Sequence, residues 1–227
     1  MTIISECERP TQTEEHGLWR MTVCRGKEGH CPFALSPLSH LKTQIEAEMQ
    51  VSGWTKFLRH HFQGRLLPHH ALTIAVAACP NACSRPQIQD IGFVAALRPK
   101  TVLETCTACG KCQRACREGA IEINGDTAQL RMNACLACGE CVTACPINAI
   151  EADPLYFRVM VGGRMGRRPR WATELPGRPT FDDLSAVVGR FVSLMIDETW
   201  ENQRISDVVE RLGSERMWEA IKPHRRL

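Results

Sequence analysis

Eight of the thirteen cysteines stand in two runs of identical spacing: Cys106, Cys109, Cys112 and Cys116, then Cys135, Cys138, Cys141 and Cys145. Each run reads C-x2-C-x2-C-x3-C. Thiolates so spaced are ligands for a [4Fe–4S] cluster, which carries single electrons. Structural zinc favours two separated C-x2-C pairs and fits unbroken runs poorly. The likeness of the halves extends beyond the thiols. A shift of 29 residues lays Ala120-Ile121-Glu122 on Ala149-Ile150-Glu151, so a whole unit is repeated. Where two such clusters share a fold, the fourth cysteine of each run crosses to the other cluster. The predicted sets are therefore Cys106, Cys109, Cys112 and Cys145 for one cluster, and Cys135, Cys138, Cys141 and Cys116 for the other.

Four more cysteines fall into two pairs, Cys24 with Cys31 and Cys79 with Cys83. Buried cysteines often serve as small hydrophobes. Here Pro80 and Asn81 lie between Cys79 and Cys83 and argue for a shaped turn. Cys7 lacks ligand spacing and reads as a free thiol in a polar arm. The histidine pairs His60–His61 and His69–His70 read as surface or loop residues, since neighbours in a helix or strand point in different directions. Arg164, Arg167, Arg168 and Arg170 form a basic, glycine-containing loop that reads by default as a solvated loop, or else as a site for an anion or an acidic redox partner.

Composition bounds the rest. A chain of 227 residues with 44% apolar and 23% charged content is ordinary for a globular protein, and a net charge of +3 does not point to nucleic acid. Residues 1–20 contain Glu6, Glu8, Glu14 and Glu15 and no apolar run, so no signal peptide is expected. No stretch reaches the roughly 18 apolar residues of a membrane helix. The cysteines accordingly read as thiolate ligands in a reducing cytoplasm rather than as disulfides.

The elements that must position these thiols are partly visible. After a loose arm over 1–20, Ser36 and Pro37 suggest the start of a helix whose apolar face is Leu38, Leu41, Ile45 and Met49. Gly53 breaks it, and Trp54, Phe57, Leu58 and Phe62 form a second apolar group. Alternating Leu72, Ile74 and Val76 predict a strand running into Cys79, with another near Ile91–Ala95. The two Ala-Ile-Glu repeats are predicted strands that close each half of the cysteine-rich segment. Beyond it come a strand over Leu155–Val161, a Thr180–Asp183 capping box, a helix from Phe181 to Met195, and a helix with Val208, Val209 and Leu212 that stops at Gly213. Strand and helix patterns on both sides of 101–153 predict an insertion within one host domain, 21–100 plus 154–227.

Two resemblances add to this reading. The twin runs resemble bacterial two-cluster ferredoxins. Cys79-Pro80-Asn81-Ala82-Cys83, followed by Asp90-Ile91-Gly92-Phe93, resembles the cluster-binding segment of sirohaem-dependent nitrite and sulfite reductases, as does residues 156–175. The second resemblance implies that Cys24, Cys31, Cys79 and Cys83 hold a third [4Fe–4S] cluster, with Cys83 as the axial thiolate shared with sirohaem. It also implies a ferredoxin inserted in the host. Sirohaem is rich in carboxylates, so Arg20, Arg25, Lys27, Arg85 and the arginines of 164–170 are candidates to neutralise it. The sequence departs from these patterns in its C-x6-C first pair and in Arg117, which follows Cys116 where proline is usual. Only 23 residues precede Cys24, so the haem pocket is expected to be completed by another subunit or to be incomplete.

The expectation is thus an α+β fold: a nitrite/sulfite reductase 4Fe-4S domain-like host with an inserted two-cluster ferredoxin module. The expected cofactors are three [4Fe–4S] clusters and sirohaem. The function implied is passage of electrons from the module to a [4Fe–4S]–sirohaem centre that reduces sulfite or nitrite. The rival is a non-catalytic electron-transfer iron–sulfur subunit of a larger reductase complex. Partners would be a redox protein or reductase subunit and a small oxyanion, with neither nucleic acid nor membrane insertion; oligomeric state is open.

Overall fold

The computed structural model describes residues 18–28, 31–62, 66, 70–200 and 203–223. Cys7, His69 and residues 1–17 of the expected arm lie outside the described residues. Trp19 and Arg20 open the first strand, β1 (Trp19–Val23). It pairs in parallel with β2 (Leu72–Ala77), and β2 pairs in parallel with β3 (Ile91–Ala96). Two more strands, β8 (Tyr156–Val161) and β9 (Thr173–Glu174), extend the sheet antiparallel, in the order β1-β2-β3-β8-β9. β1 was not anticipated: Trp19, Met21 and Val23 do alternate with Arg20 and Thr22, but the run is only five residues long, half-exposed, and straddles the end of the expected arm.

One face of this sheet carries Ile74, Val76, Ile91, Phe93, Phe157, Val159 and Val161, all buried. Five helices cover it: α1 (Leu41–Val51), α2 (Trp54–His61), α5 (Leu184–Glu198), α6 (Ile205–Leu212) and α7 (Ser214–Ile221). Their apolar stripes follow the helical period, so burial is shared along one core. Helix α1 starts later than Ser36-Pro37 suggested. Its N-cap is His40, in the left-handed region, while the Ser36 hydroxyl donates to the Pro37 carbonyl. Leu38 still packs into the core. Gly53, at φ 74°, separates α1 from α2, and the Thr180–Asp183 capping box precedes α5 as anticipated.

The opposite face is built from small residues. Ala75, Ala77, Gly92 and Ala96 lie on it, and Ala77, Val94 and Met160 pack with Ala82 and Ala172. The chain from Cys79 to Asp90 crosses this face to connect two parallel strands. Gly92 makes the crossing possible, since a Cβ there would lie 2.5 Å from Pro86 Cβ.

Between β3 and β8 the chain leaves the sheet and returns to it, while β3 and β8 pair directly. The excursion holds β4 (Pro99–Val102) paired with β7 (Ile150–Ala152), the hairpin β5 (Ile121–Asn124) and β6 (Thr127–Leu130), and two short helices, α3 (Lys111–Ala115) and α4 (Glu140–Ala144). Its own small core centres on Cys112, Ile121, Ala128, Cys141 and Ile150. Both Ala-Ile-Glu repeats enter strands, but they take different partners: the first pairs within the hairpin, the second with β4. The backbone repeats with the sequence. Ala108 and Ala137, Gly110 and Gly139, and Gly119 and Asn148 are paired positions with left-handed φ. The turns at Gly119, Ala137 and Asn148 bring N–H groups toward sulfur.

Candidate iron–sulfur sites

Within the excursion the cysteines fall into two groups around two cavities. Cys106, Cys109, Cys112 and Cys145 line one, with Ile123, Ala128 and Ile147. Cys116, Cys135, Cys138 and Cys141 line the other. The fourth cysteine of each run therefore faces the first three of the other run. The local turns explain the approach. Ala120 N–H donates to Cys116 Sγ at 3.2 Å, and at the equivalent position Ala149 N–H donates to Cys145 Sγ at 3.1 Å. Ala137 N–H reaches Cys135 Sγ at 3.4 Å. Such bonds stabilise thiolate charge.

The thiols respond to their surroundings. Burial pushes Cys141 up to about 12, and the nearby Cys138, Cys135 and Cys116 sulfurs add to the rise. Cys138 and Cys112 are raised by burial as well. Cys106 goes the other way, lowered by the N–H groups of Ala108 and Ala128. A thiol held up by burial keeps its proton until a metal displaces it.

In the host, Cys24 ends β1 and Cys79 follows β2, so the parallel pairing delivers both to the same sheet edge. Ala78 N–H donates to Cys24 Sγ at 3.2 Å. Gly26 lets the Cys24–Cys31 loop close on this edge, since a Cβ there would lie 3.0 Å from Ala78 Cβ. Burial raises the Cys79 thiol; the Asn81 N–H pulls against this, and the neighbouring Cys31, Cys24 and Cys83 sulfurs add to the rise. The four thus stand close together. Ala82, at φ 50°, shapes the turn, and the Ser84 hydroxyl anchors it by donating to the Val76 carbonyl at 2.8 Å. Cys79 is buried, whereas Cys83 is exposed.

The candidate cations are scattered. Arg25 and Arg85 are exposed; Arg25 follows Cys24 directly and Arg85 stands two residues after Cys83. The side chain of Lys27 is outside the described residues. Arg20 lies toward the opposite end of the strands, in a cavity of about 320 Å³ that it shares with Asp90 and His70. Arg164 pairs with Asp207 at 3.1 Å and Arg170 with Glu210 at 2.7 Å, so both brace α6. Arg167 and Arg168 are exposed at the hairpin tip. His61 meets the Trp200 carbonyl at 3.2 Å and His70 stacks on Phe62, while His60 is exposed.

Two features escaped the sequence. Asp90 accepts bonds from the Thr73 N–H at 2.8 Å and the Thr73 hydroxyl at 2.6 Å, tying the start of β3 to β2. Arg117 places its guanidinium 5.1 Å from the Phe33 ring, linking the excursion to the Cys31 loop. Among the described residues no three His, Cys, Asp or Glu side chains converge on one metal ion. A cubane cluster spreads its thiolates more widely than a single ion does.

Residues 15–226 match the family model described as the nitrite and sulphite reductase 4Fe-4S domain. The coenzyme F420-dependent sulfite reductase of Methanocaldococcus jannaschii is 33% identical over 214 residues, which are 92% of this chain and 32% of that protein. A subunit of the anaerobic sulfite reductase of Salmonella typhimurium is 33% identical over 54 residues, 24% of this chain and 16% of that one. The chain thus spans about a third or less of these relatives. In fold it is similar to the crystal structure of dissimilatory sulfite reductase I, with a TM-score of 0.55 and 13% identity, covering 91% of this chain and 55% of that one.

Proposed function

The chain belongs to the nitrite and sulphite reductase 4Fe-4S domain family, and we propose that it delivers electrons through an inserted ferredoxin-like module to a [4Fe–4S]–sirohaem centre that reduces sulfite or nitrite. The observation that carries this reading is the gathering of Cys24, Cys31, Cys79 and Cys83 at one sheet edge, with Cys79 buried and Cys83 exposed. With Cys24, Cys31 and Cys79 less open than it, the exposed Cys83 would be the thiolate available to both a cluster and sirohaem.

When bound, the clusters supply one-electron carriage and the haem supplies the iron that holds the oxyanion. The chain's own residues do the remaining work. The Asn81 and Ala78 N–H groups offset thiolate charge in the host site. In the module, those of Ala120, Ala137 and Ala149 do the same. The side chains of Ile123 and Ala128 exclude water from one cavity, and those of Ile121 and Leu130 from the other. Arg25 and Arg85, exposed near Cys24 and Cys83 in the chain, would be the cations offered to haem carboxylates. A partner subunit would complete the haem pocket, in keeping with a relative that is itself one subunit of a sulfite reductase.

Iron, sulfide and visible absorbance of anaerobically purified protein test the reading. It expects about twelve irons for the three sets, and one more with haem bands. About twelve without haem, even with partner subunits present, would leave the electron carrier instead. Cys83→Ala is expected to abolish the haem bands while keeping the module's eight or so irons.

A further inference from the structure

The two module cavities differ in what walls them. Every residue lining the Cys106/Cys109/Cys112/Cys145 cavity lies between 106 and 150, so that cavity belongs wholly to the excursion. The Cys116/Cys135/Cys138/Cys141 cavity is walled in addition by Pro80 and Asn81, the two residues that follow Cys79 in the host turn. Three further contacts converge on the same seam. Leu97 N–H donates to the Ala137 carbonyl at 2.8 Å, and Leu97 bridges to Cys138. Ala137 is buried against Ala96 and Tyr156 of the sheet. A Cβ on Gly139 would lie 2.9 Å from Leu97 and 3.1 Å from Leu35, and Leu35 N–H donates to the Ala78 carbonyl next to Cys79.

We infer that the module sites have a fixed order. The Cys116/Cys135/Cys138/Cys141 site is the inner one, set against the host turn that carries Cys79. The Cys106/Cys109/Cys112/Cys145 site is the outer one, reached by an acidic, low-potential one-electron carrier. This rests on the iron–sulfur reading above. The outer rim suits such a carrier. Cys109 and Ile147 are exposed, and Lys111 and Arg114 are exposed on α3 beside them. From Thr107 to Arg114 the chain has no acid, although Glu104 stands two residues before Cys106. In the transfer the carrier loses one electron and the outer site gains it; no bond forms or breaks.

Electron paramagnetic resonance of the fully reduced full-length chain tests the order, because neighbouring reduced clusters broaden each other's signals. Cys109→Ser/Cys112→Ser should leave the broadening of the host signal in place, and Cys138→Ser/Cys141→Ser should remove it. The reverse result would overturn the order. Two variants that spare every ligand keep the test open should those lose the module. Lys111→Glu should slow reduction by a small acidic flavodoxin hydroquinone roughly tenfold at low salt, and Arg117→Glu, on the inner side, should change it less than about twofold. Equal slowing by both would overturn the outer site as the point of uptake. A native chain holding only about four irons would overturn the iron–sulfur reading itself, and the order with it.

Discussion

Asp90 shows how one residue sets a local balance. Burial raises its carboxyl to about 6, against the pull of two Thr73 bonds and the Arg20 charge. A carboxyl raised on folding holds its proton more tightly in the folded state. Its stabilising effect is therefore complete below the ordinary carboxylate range and is lost as pH rises through about 6. Asp90→Asn keeps an acceptor for Thr73 and removes the charge. Calorimetry at pH 5 and pH 7.5 should show a smaller drop in Tm for the variant than for the native chain. The grouping of the module's cysteines around two cavities was legible at this scale, because their spacing is a local property. The Thr73–Asp90 pair was not, since nothing in either residue's neighbourhood names a partner 17 positions away.

Elements position these residues through close approach. Gly92 lets the link from Cys79 to Asp90 cross the sheet, and Gly92→Ala forces a Cβ to within 2.5 Å of Pro86. Rigid backbone at the contact leaves little room to relax, so a loss of about 1–3 kcal/mol is expected in chemical unfolding. Arg117 is the second case. At the position where proline is usual it spans from the module to Phe33 and stands 3.9 Å from Glu140. Because the guanidinium is largely exposed, Arg117→Ala should cost only about 0.5–1 kcal/mol, read against Phe33→Ala in a double-mutant cycle. Helices with clean apolar stripes, such as α5, follow the sequence closely. The start of α1 does not, because the left-handed turn at His40 overrides the Ser36-Pro37 signal. β1, though it alternates cleanly, is too short to stand out without its pairing to β2.

The whole molecule joins a large core to a small one. The host core runs across a five-stranded sheet and five helices, whereas the excursion buries few apolar side chains, two of them its own cysteines. On the iron–sulfur reading proposed above, so small a core would depend on its clusters for stability. Stripping iron with a chelator should therefore expose the amides of α3, α4 and the β5–β6 hairpin to rapid hydrogen exchange while those of α5 stay protected. Uniform loss of protection would show that the two cores unfold as one. No helix among the described residues is long and apolar enough to cross a membrane. Local spacing in the chain was enough to name the repeat, the grouping of its cysteines and the α+β character, because each is written in residues that neighbour one another. Which half of the repeat meets the host was decided only on folding. That choice depends on Pro80, Asn81, Leu97, Ala137 and Gly139 meeting across a seam, and contacts between distant segments leave no periodic trace in the chain.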